Sequence, residues 1–153
     1  MTSVGADPGD ANSSLDSNIF IYAFMGQDER KRAIARELVN AAEAGRHMVA
    51  LQVMGEVFNR LRRPDGISAP LAERLVAQEF SHFTLLSATP AVFAAAMRLS
   101  ARTGRQFWDS LVLATCAEHG VGTLLTEDLG PFPHNPLGVR LVNPFAELGL
   151  EAR

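Results

Sequence analysis

The sequence predicts an α/β domain built on a parallel sheet that is covered on both faces. Three observations carry this expectation. Short apolar runs of strand length alternate with helical stretches of roughly 10–17 residues, the pattern of βαβ units. The chain has 153 residues, 47% apolar and 20% charged, which is globular composition at a length suited to one domain. The single cysteine, Cys116, excludes a disulfide framework or a Cys-rich zinc module, so stability must come from a packed core.

Residues 1–14 (MTSVGADPGDANSS) are small, polar and Gly/Pro-containing, and they read as a flexible tail or an extended start, with order starting near Leu15. Ile19 to Met25 is apolar and short, and periodicity alone leaves it open between strand and helix. Asp28 to Ala44 is a helix with Ile34, Leu38 and Ala41 facing one way and Gly45 stopping it. His47 to Leu51 follows as a strand. Gln52 to Arg63 switches to helical spacing, with Val53, Val57 and Leu61 on one stripe, until Pro64-Asp65-Gly66 turns the chain. Ala69 to Phe80 is amphipathic helix and Phe83 to Leu86 a short strand. Pro90 opens a helix through Arg102, closed by Gly104. Phe107 to His119 is helical, Val121 to Thr126 is a buried strand, and after a proline-rich loop Val139 to Val142 is the last strand. Residues 147–153 read as a C-terminal tail.

Composition narrows the function less than it narrows the fold. Fourteen basic against 17 acidic residues give a net charge of -3, and thirteen of the 14 are Arg, with Lys31 the only lysine. Arg forks suit phosphate contacts, but such a bias also follows from genomic base composition. The four histidines are scattered, without the i, i+4 pair of a zinc hydrolase. No apolar run approaches the ~20 residues of a bilayer span. The N-terminus lacks a basic segment and carries Asp7 and Asp10, so a cytoplasmic domain is expected.

In parallel sheets ligands sit beyond the carboxyl ends of the strands, and four acids fall there. Asp16 stands where a first strand hands over to a helix, with Asn18 two residues on; a turn or N-cap role is its plain alternative. Glu56 lies at the edge of the Val53/Val57/Leu61 stripe, where a solvated border residue is also at home. Asp109 opens a helix whose next residues, Ser110 then Leu111 to Ala117, carry no charge. It is therefore either a cap or a group held inward for a purpose. Asp128 follows the strand Gly122-Thr123-Leu124-Leu125-Thr126. Two carboxylates about 4 Å apart repel by ~4 kcal/mol at an effective dielectric near 20. Several together must bind protons or a cation, and an all-carboxylate set selects a hard ion, Mg²⁺ or Mn²⁺. Such a site clamps phosphate oxygens and activates water for in-line attack.

Four segments in order, Leu15-Asp16-Ser17-Asn18-Ile19-Phe20-Ile21-Tyr22-Ala23, Gln52-Val53-Met54-Gly55-Glu56, Phe107-Trp108-Asp109-Ser110-Leu111 and Leu124-Leu125-Thr126-Glu127-Asp128, resemble the PIN domain. Within it the likeness is to VapC-type toxins of bacterial toxin–antitoxin pairs, and Leu141-Val142-Asn143-Pro144-Phe145 is similar to their close. The resemblance spans residues 15–146. It implies an α/β/α three-layer sandwich with a central, mostly parallel sheet, an Mg²⁺- or Mn²⁺-dependent endoribonuclease, a homodimer and a cognate antitoxin. It also implies that Asp16, Glu56, Asp109 and Asp128 ring the metal, with Asn18 and Thr126 supporting them. The chain departs from the family at Ala11-Asn12-Ser13-Ser14, which is polar where an apolar first strand is usual, at Leu51 in place of Ser or Thr, and in its proline-rich 130–138 loop.

Other readings fit less well. A phosphotransfer domain wants a lysine well downstream of its Asp, and the phosphatase type a second Asp at the position of Asn18. A non-catalytic PIN-like module would show no acid-dependent response to metal. Against an RNA-processing PIN nuclease, the small size favours the toxin, and a short gene directly upstream would decide between them. Arg60, Arg62, Arg63, Arg102 and Arg105 are candidate RNA contacts, although a helix end also favours basic groups. Trp108 is expected in the core. Phe20, Tyr22 and Phe24 are expected to pack against helices or a second subunit rather than to stack on bases.

Overall fold

The computed structural model describes residue 10 and residues 12–146. The strands are β1 (Ser13–Leu15), β2 (Met48–Ala50), β3 (Thr84–Leu86), β4 (Thr123–Leu125) and β5 (Arg140–Val142). The helices are α1 (Ser17–Met25), α2 (Glu29–Ala44), α3 (Leu51–Leu61), α4 (Ala69–Phe80), α5 (Pro90–Thr103) and α6 (Phe107–Glu118). Every pairing is parallel: β1 with β4, β4 with β5, and β2 with β3. The Ser14 hydroxyl donates to the Met48 carbonyl at 2.6 Å and joins the two sets, placing β1 between β4 and β2. Successive residues of a strand point to opposite faces, and all three residues of β1 and of β4 are buried. The sheet is thus covered on both sides, a three-layer α/β/α arrangement.

The polar start of β1 corrects the reading of residues 1–14 as a tail. Order reaches back into that stretch, and Ser13 and Ser14 are buried in the centre of the fold. A polar central strand is viable because each hydroxyl has a partner: Ser13 donates to the Asp10 carbonyl at 2.7 Å, Ser14 to Met48. The rest of that stretch, and the expected tail at 147–153, lie outside the described residues. Ile19 to Met25, left open by periodicity, is helical as part of α1. Asp16 precedes its first turn and accepts from the Ser17 N–H at 2.8 Å.

In α2 the buried stripe is Ala35, Leu38, Val39 and Ala42, so the expected Ile34/Leu38/Ala41 face is turned by about one residue. Small alanines face the core and leave room for α1, whose Phe20 packs on Phe80 and Phe83 at centroid distances of 4.6 and 5.4 Å. The α3 stripe of Val53, Val57 and Leu61 is buried as expected. The near-uncharged α6 buries Ser110 through Cys116 without interruption, which fixes Asp109 at a rigid starting turn. Trp108 corrects the core assignment: it is 52% exposed, because its neighbours Phe107 and Asp109 take the inward positions of that turn.

Candidate active site

β1 delivers Asp16, and β4 ends beside it: the Asp16 N–H donates to the Leu125 carbonyl at 2.9 Å. The Asp16 carboxylate accepts from Ser17 N–H through Oδ1 and from the Thr126 hydroxyl through Oδ2 at 2.9 Å. Thr126 is fully buried, and its Oγ1 accepts from Asn18 Nδ2 and from the Asp128 N–H, both at 3.1 Å. Asn18 Oδ1 in turn accepts from the Glu127 N–H at 3.1 Å. One side-chain amide and one hydroxyl therefore tie the first turn of α1 to the loop after β4, the bracing expected of Asn18 and Thr126.

Asp16, Thr126, Asp109 and Asp128 line one cavity of about 320 Å³, together with Arg105, Gln106 and the loop at Gly130–Pro131. Asp109 is not the cap of α6. The cap position is Gln106, which makes no side-chain capping bond, so the inward reading of Asp109 holds. Asp128 is exposed, and one of its carboxylate oxygens accepts from the Gly130 N–H at 2.9 Å. Glu56 opens instead onto an adjoining cleft of about 460 Å³ that shares Gln106 with the first cavity. Ser17 links the two sides: its hydroxyl donates to Glu56 Oε2 at 3.4 Å.

The electrostatics of the cluster run one way. Burial pushes Glu56 up to about 7, and the charges of Asp16 and Asp109 push in the same direction. Asp109 is pushed up to about 6, first by burial, then by Asp16 and Asp128, with Arg105 opposing. Asp16 is raised by burial and by Asp128, against its hydrogen bonds from Ser17 and Thr126. Buried Glu56 Oε1 has no hydrogen-bond partner. The nearby Cys116 thiol, pushed up to about 12 by burial, is inert.

An all-oxygen set of carboxylates that hold protons too tightly, one with an orphaned oxygen, suits a hard cation. Among the described residues no three Asp, Glu, His or Cys side chains converge as a ready cage.

The basic residues divide. Arg62, Arg63 and Arg102 are exposed, and Arg60 lies 3.7 Å from Asp65. Arg105 is a correction: it is buried, and its guanidinium donates to the carbonyls of Leu129 at 3.0 Å, Pro131 at 2.5 Å and Pro133. It straps the proline-rich loop to the start of α6 and is not open to a phosphate. That role was not legible in the sequence, since it depends on a loop more than 20 residues away. Sequence reasoning also missed Ser17 and the Tyr22–Lys31 pair. Tyr22 donates to Glu127 Oε1 at 2.5 Å and Lys31 to Oε2 at 2.6 Å. The position of Lys31 as the only lysine was the available signal.

A parallel α/β sandwich with carboxylates gathered at the carboxyl edge of its strands defines the class, and the sequence places the chain within it. Residues 14–135 match the PIN domain model, and the chain belongs to that family. Among solved structures it is similar to a toxin–antitoxin complex from Klebsiella pneumoniae, at TM-score 0.63 and 22% identity, covering 86% of this chain and 97% of the other. It is similar to VapC20 of Mycobacterium tuberculosis, a toxin that cleaves the sarcin–ricin loop, at TM-score 0.60 and 20% identity, covering 73% and 86%. It is also similar to FitAcB from Neisseria gonorrhoeae, at TM-score 0.63 and 21% identity, covering 87% and 98%. These likenesses are likenesses of fold. No curated protein matches the chain.

Proposed function

We propose that the protein is an endoribonuclease dependent on Mg²⁺ or Mn²⁺ and the toxin of a toxin–antitoxin pair, inhibited by a small cognate antitoxin. The observation that carries this reading is the group of electrostatically coupled carboxylates, Asp16, Glu56, Asp109 and Asp128, at the strand ends of a PIN domain. Toxins among the structures of the same fold support the biological role. No helix among the described residues is long and apolar enough to cross a membrane, and the cytoplasm, where RNA and antitoxin are both present, is the proposed compartment.

Asp16 and Asp109 would hold the ion, with Glu56 and Asp128 completing the ring. When bound, a divalent cation lowers the pKa of water and neutralises charge that develops on the phosphate. The chain's own groups do the rest. Ser17 N–H and Thr126 Oγ1 orient the two oxygens of Asp16. Glu56 lies across Ser17 from Asp16 and would add its charge to the ring once an ion relieves the repulsion from Asp16 and Asp109 that helps to raise it. The Arg105 strap keeps the Asp128 loop against α6, so the distance between the two halves of the site is set before substrate arrives.

The test is cleavage of RNA with Mg²⁺ or Mn²⁺ by the wild type, alongside growth arrest on expression and its relief by the gene encoded next to this one. No cleavage with either ion and no arrest would overturn the reading. The family resemblance also implies a homodimer, for which the half-buried Ile21 and Phe24 of α1 and the exposed Leu71 of α4 remain available once Ile19, Phe20, Val76 and Phe80 are spent on the core. Light scattering at micromolar concentration should give twice the chain mass, and a monomer would remove that part of the proposal.

A further inference from the structure

Trp108 is anomalous. Half of a large apolar ring faces solvent on an otherwise buried helix, at 52% exposure, and the ring is held rather than loose. It packs edge-on against Phe107 at 4.8 Å and 72°, and Phe107 rests on Phe93 at 5.7 Å. Across the cleft, Gln52 Nε2 donates to the Trp108 carbonyl at 3.2 Å and fixes the turn to α3.

The cleft in front of it, about 460 Å³, is lined by Gln52, Gly55, Glu56, Asn59, Gln106 and Trp108. Three of the six are side-chain amides and one is a candidate metal ligand. The amides of Asn59 and Gln106 make no hydrogen bond among the described residues, and a side chain built on Gly55 would meet nothing within 4 Å. The cleft floor is therefore open, and two pairs of amide donors and acceptors have free capacity.

We propose that this cleft is a nucleobase subsite, in which one unstacked RNA base lies on the Trp108 ring while Asn59 and Gln106 read its edge. The proposal rests on the nuclease reading above and names the part of the substrate that the site takes. Aromatic rings bind unpaired bases through their π-faces, and amides supply the paired donor and acceptor that distinguish one base edge from another. The ring is met across the cleft by amides and a carboxylate, the polar complement of a base edge, while the apolar groove of Leu51, Met54 and Phe58 adjoins it at Gly55. Glu56 borders this cleft and Gln106 borders both cavities, so a base held here has its phosphate beside the acids. Arg62 and Arg63, exposed just past the end of α3, extend the path for the backbone.

Because Trp108 is the chain's only tryptophan, its emission reports this position alone. Full-length protein in EDTA, titrated with eight-nucleotide RNAs of A, C or U, should show saturable quenching. An abasic oligomer of the same length should give none. In metal, Trp108→Ala should raise KM for a short RNA about tenfold or more with a smaller change in kcat, since stacking one base is worth that much. Trp108→Phe should recover most of the loss. Asn59→Ala and Gln106→Ala should change the order of preference among the three RNAs.

Equal quenching by the abasic oligomer, or an unchanged KM in Trp108→Ala, would overturn the subsite. So would emission that depends on protein dilution without RNA, together with a changed mass of Trp108→Ala in light scattering, because the ring would then serve self-association. If the wild type cleaves nothing, the nuclease reading fails by itself, and the EDTA titration still decides whether the cleft takes a base.

Discussion

Glu127 and Asp128 are adjacent in the chain and are treated in opposite ways. Glu127 receives Lys31 at 2.6 Å and the Tyr22 hydroxyl at 2.5 Å, and Lys31 also sits over the rings of Tyr22 and Phe145 at 5.2 and 5.7 Å. Asp128, one residue on, receives only a backbone N–H, and its neighbours Asp16, Asp109 and Glu56 receive no ion-pair partner among the described residues. The one cation near them, Arg105, is committed to three loop carbonyls. At Glu127 the fold supplies a cation; at the neighbouring strand-edge carboxylates it does not. Clustered, unpaired carboxylates are destabilising unless something from outside is bound there.

The comparison is broken most severely by activity. Asp16→Asn and Asp109→Asn remove charge at nearly constant shape, and each should reduce RNA cleavage by at least about a hundredfold, since electrostatic stabilisation is usually the largest catalytic term. Circular dichroism should show both variants folded. Glu127→Gln, on the other side of the same loop, should stay within a few-fold of the wild-type rate. Equal loss in all three would mean that the loop's geometry, rather than the charge at the strand edge, was being measured.

A second separation is thermal. Mg²⁺ or Mn²⁺ should raise the Tm of the wild type by mass action, and the gain should shrink in Asp109→Asn and persist in Glu127→Gln. Scanning calorimetry against metal concentration measures it, and equal gains in the wild type and Asp109→Asn would place the ion elsewhere.

The metal-free protein should also show an unusual pH dependence. Glu56 at about 7 and Asp109 at about 6 are raised above their ordinary values of 4.5 and 3.8. The folded state therefore keeps protons that the unfolded chain has released, so stability falls as pH rises through that window. Glu79, pushed up to about 7 by burial and then by Glu43, contributes in the same sense. Tm in EDTA should fall from pH 5 to pH 8. Saturating Mg²⁺ should remove the part due to Glu56 and Asp109, and Glu79→Gln the part due to Glu79. A Tm that climbs over this range in EDTA would contradict the electrostatics of the site.

Much of this contrast was legible in the sequence and part of it was not. The alternation of strand and helix, and four acids each just past a strand or within the first two turns of a helix, depend only on local order, and they make the fold and the candidate site legible. The first strand is implied by the place of Asp16, but its residues are not legible, because Ser13 and Ser14 look like linker until their hydroxyls find the Asp10 and Met48 carbonyls. Trp108 and Arg105 depart from what their residue types suggest: the ring expected in the core is exposed, and the cation that is a candidate for phosphate contact is buried. A turn decides which of Phe107 and Trp108 points inward, and a distant loop supplies the carbonyls that draw Arg105 in. Such long-range partners leave no periodicity to read.

The smallest expected effect tests the other half of the comparison. The Lys31–Glu127 side chains retain 27% and 32% exposure, and partly solvated pairs typically contribute about 0.2–1 kcal/mol. Lys31→Met keeps the methylene stem over Tyr22 and Phe145 and removes the charge. Glu127→Gln keeps a bond with the Tyr22 hydroxyl within reach. A double-mutant cycle on urea unfolding should give a coupling of about 0.5–1 kcal/mol, with RNA cleavage little changed in either single variant. The coupling should weaken in high salt, as for any pair reached by water. A coupling of several kcal/mol with cleavage lost in Lys31→Met would show that this pair sets the position of Asp128, and the boundary between paired and unpaired carboxylates would then lie beyond Glu127.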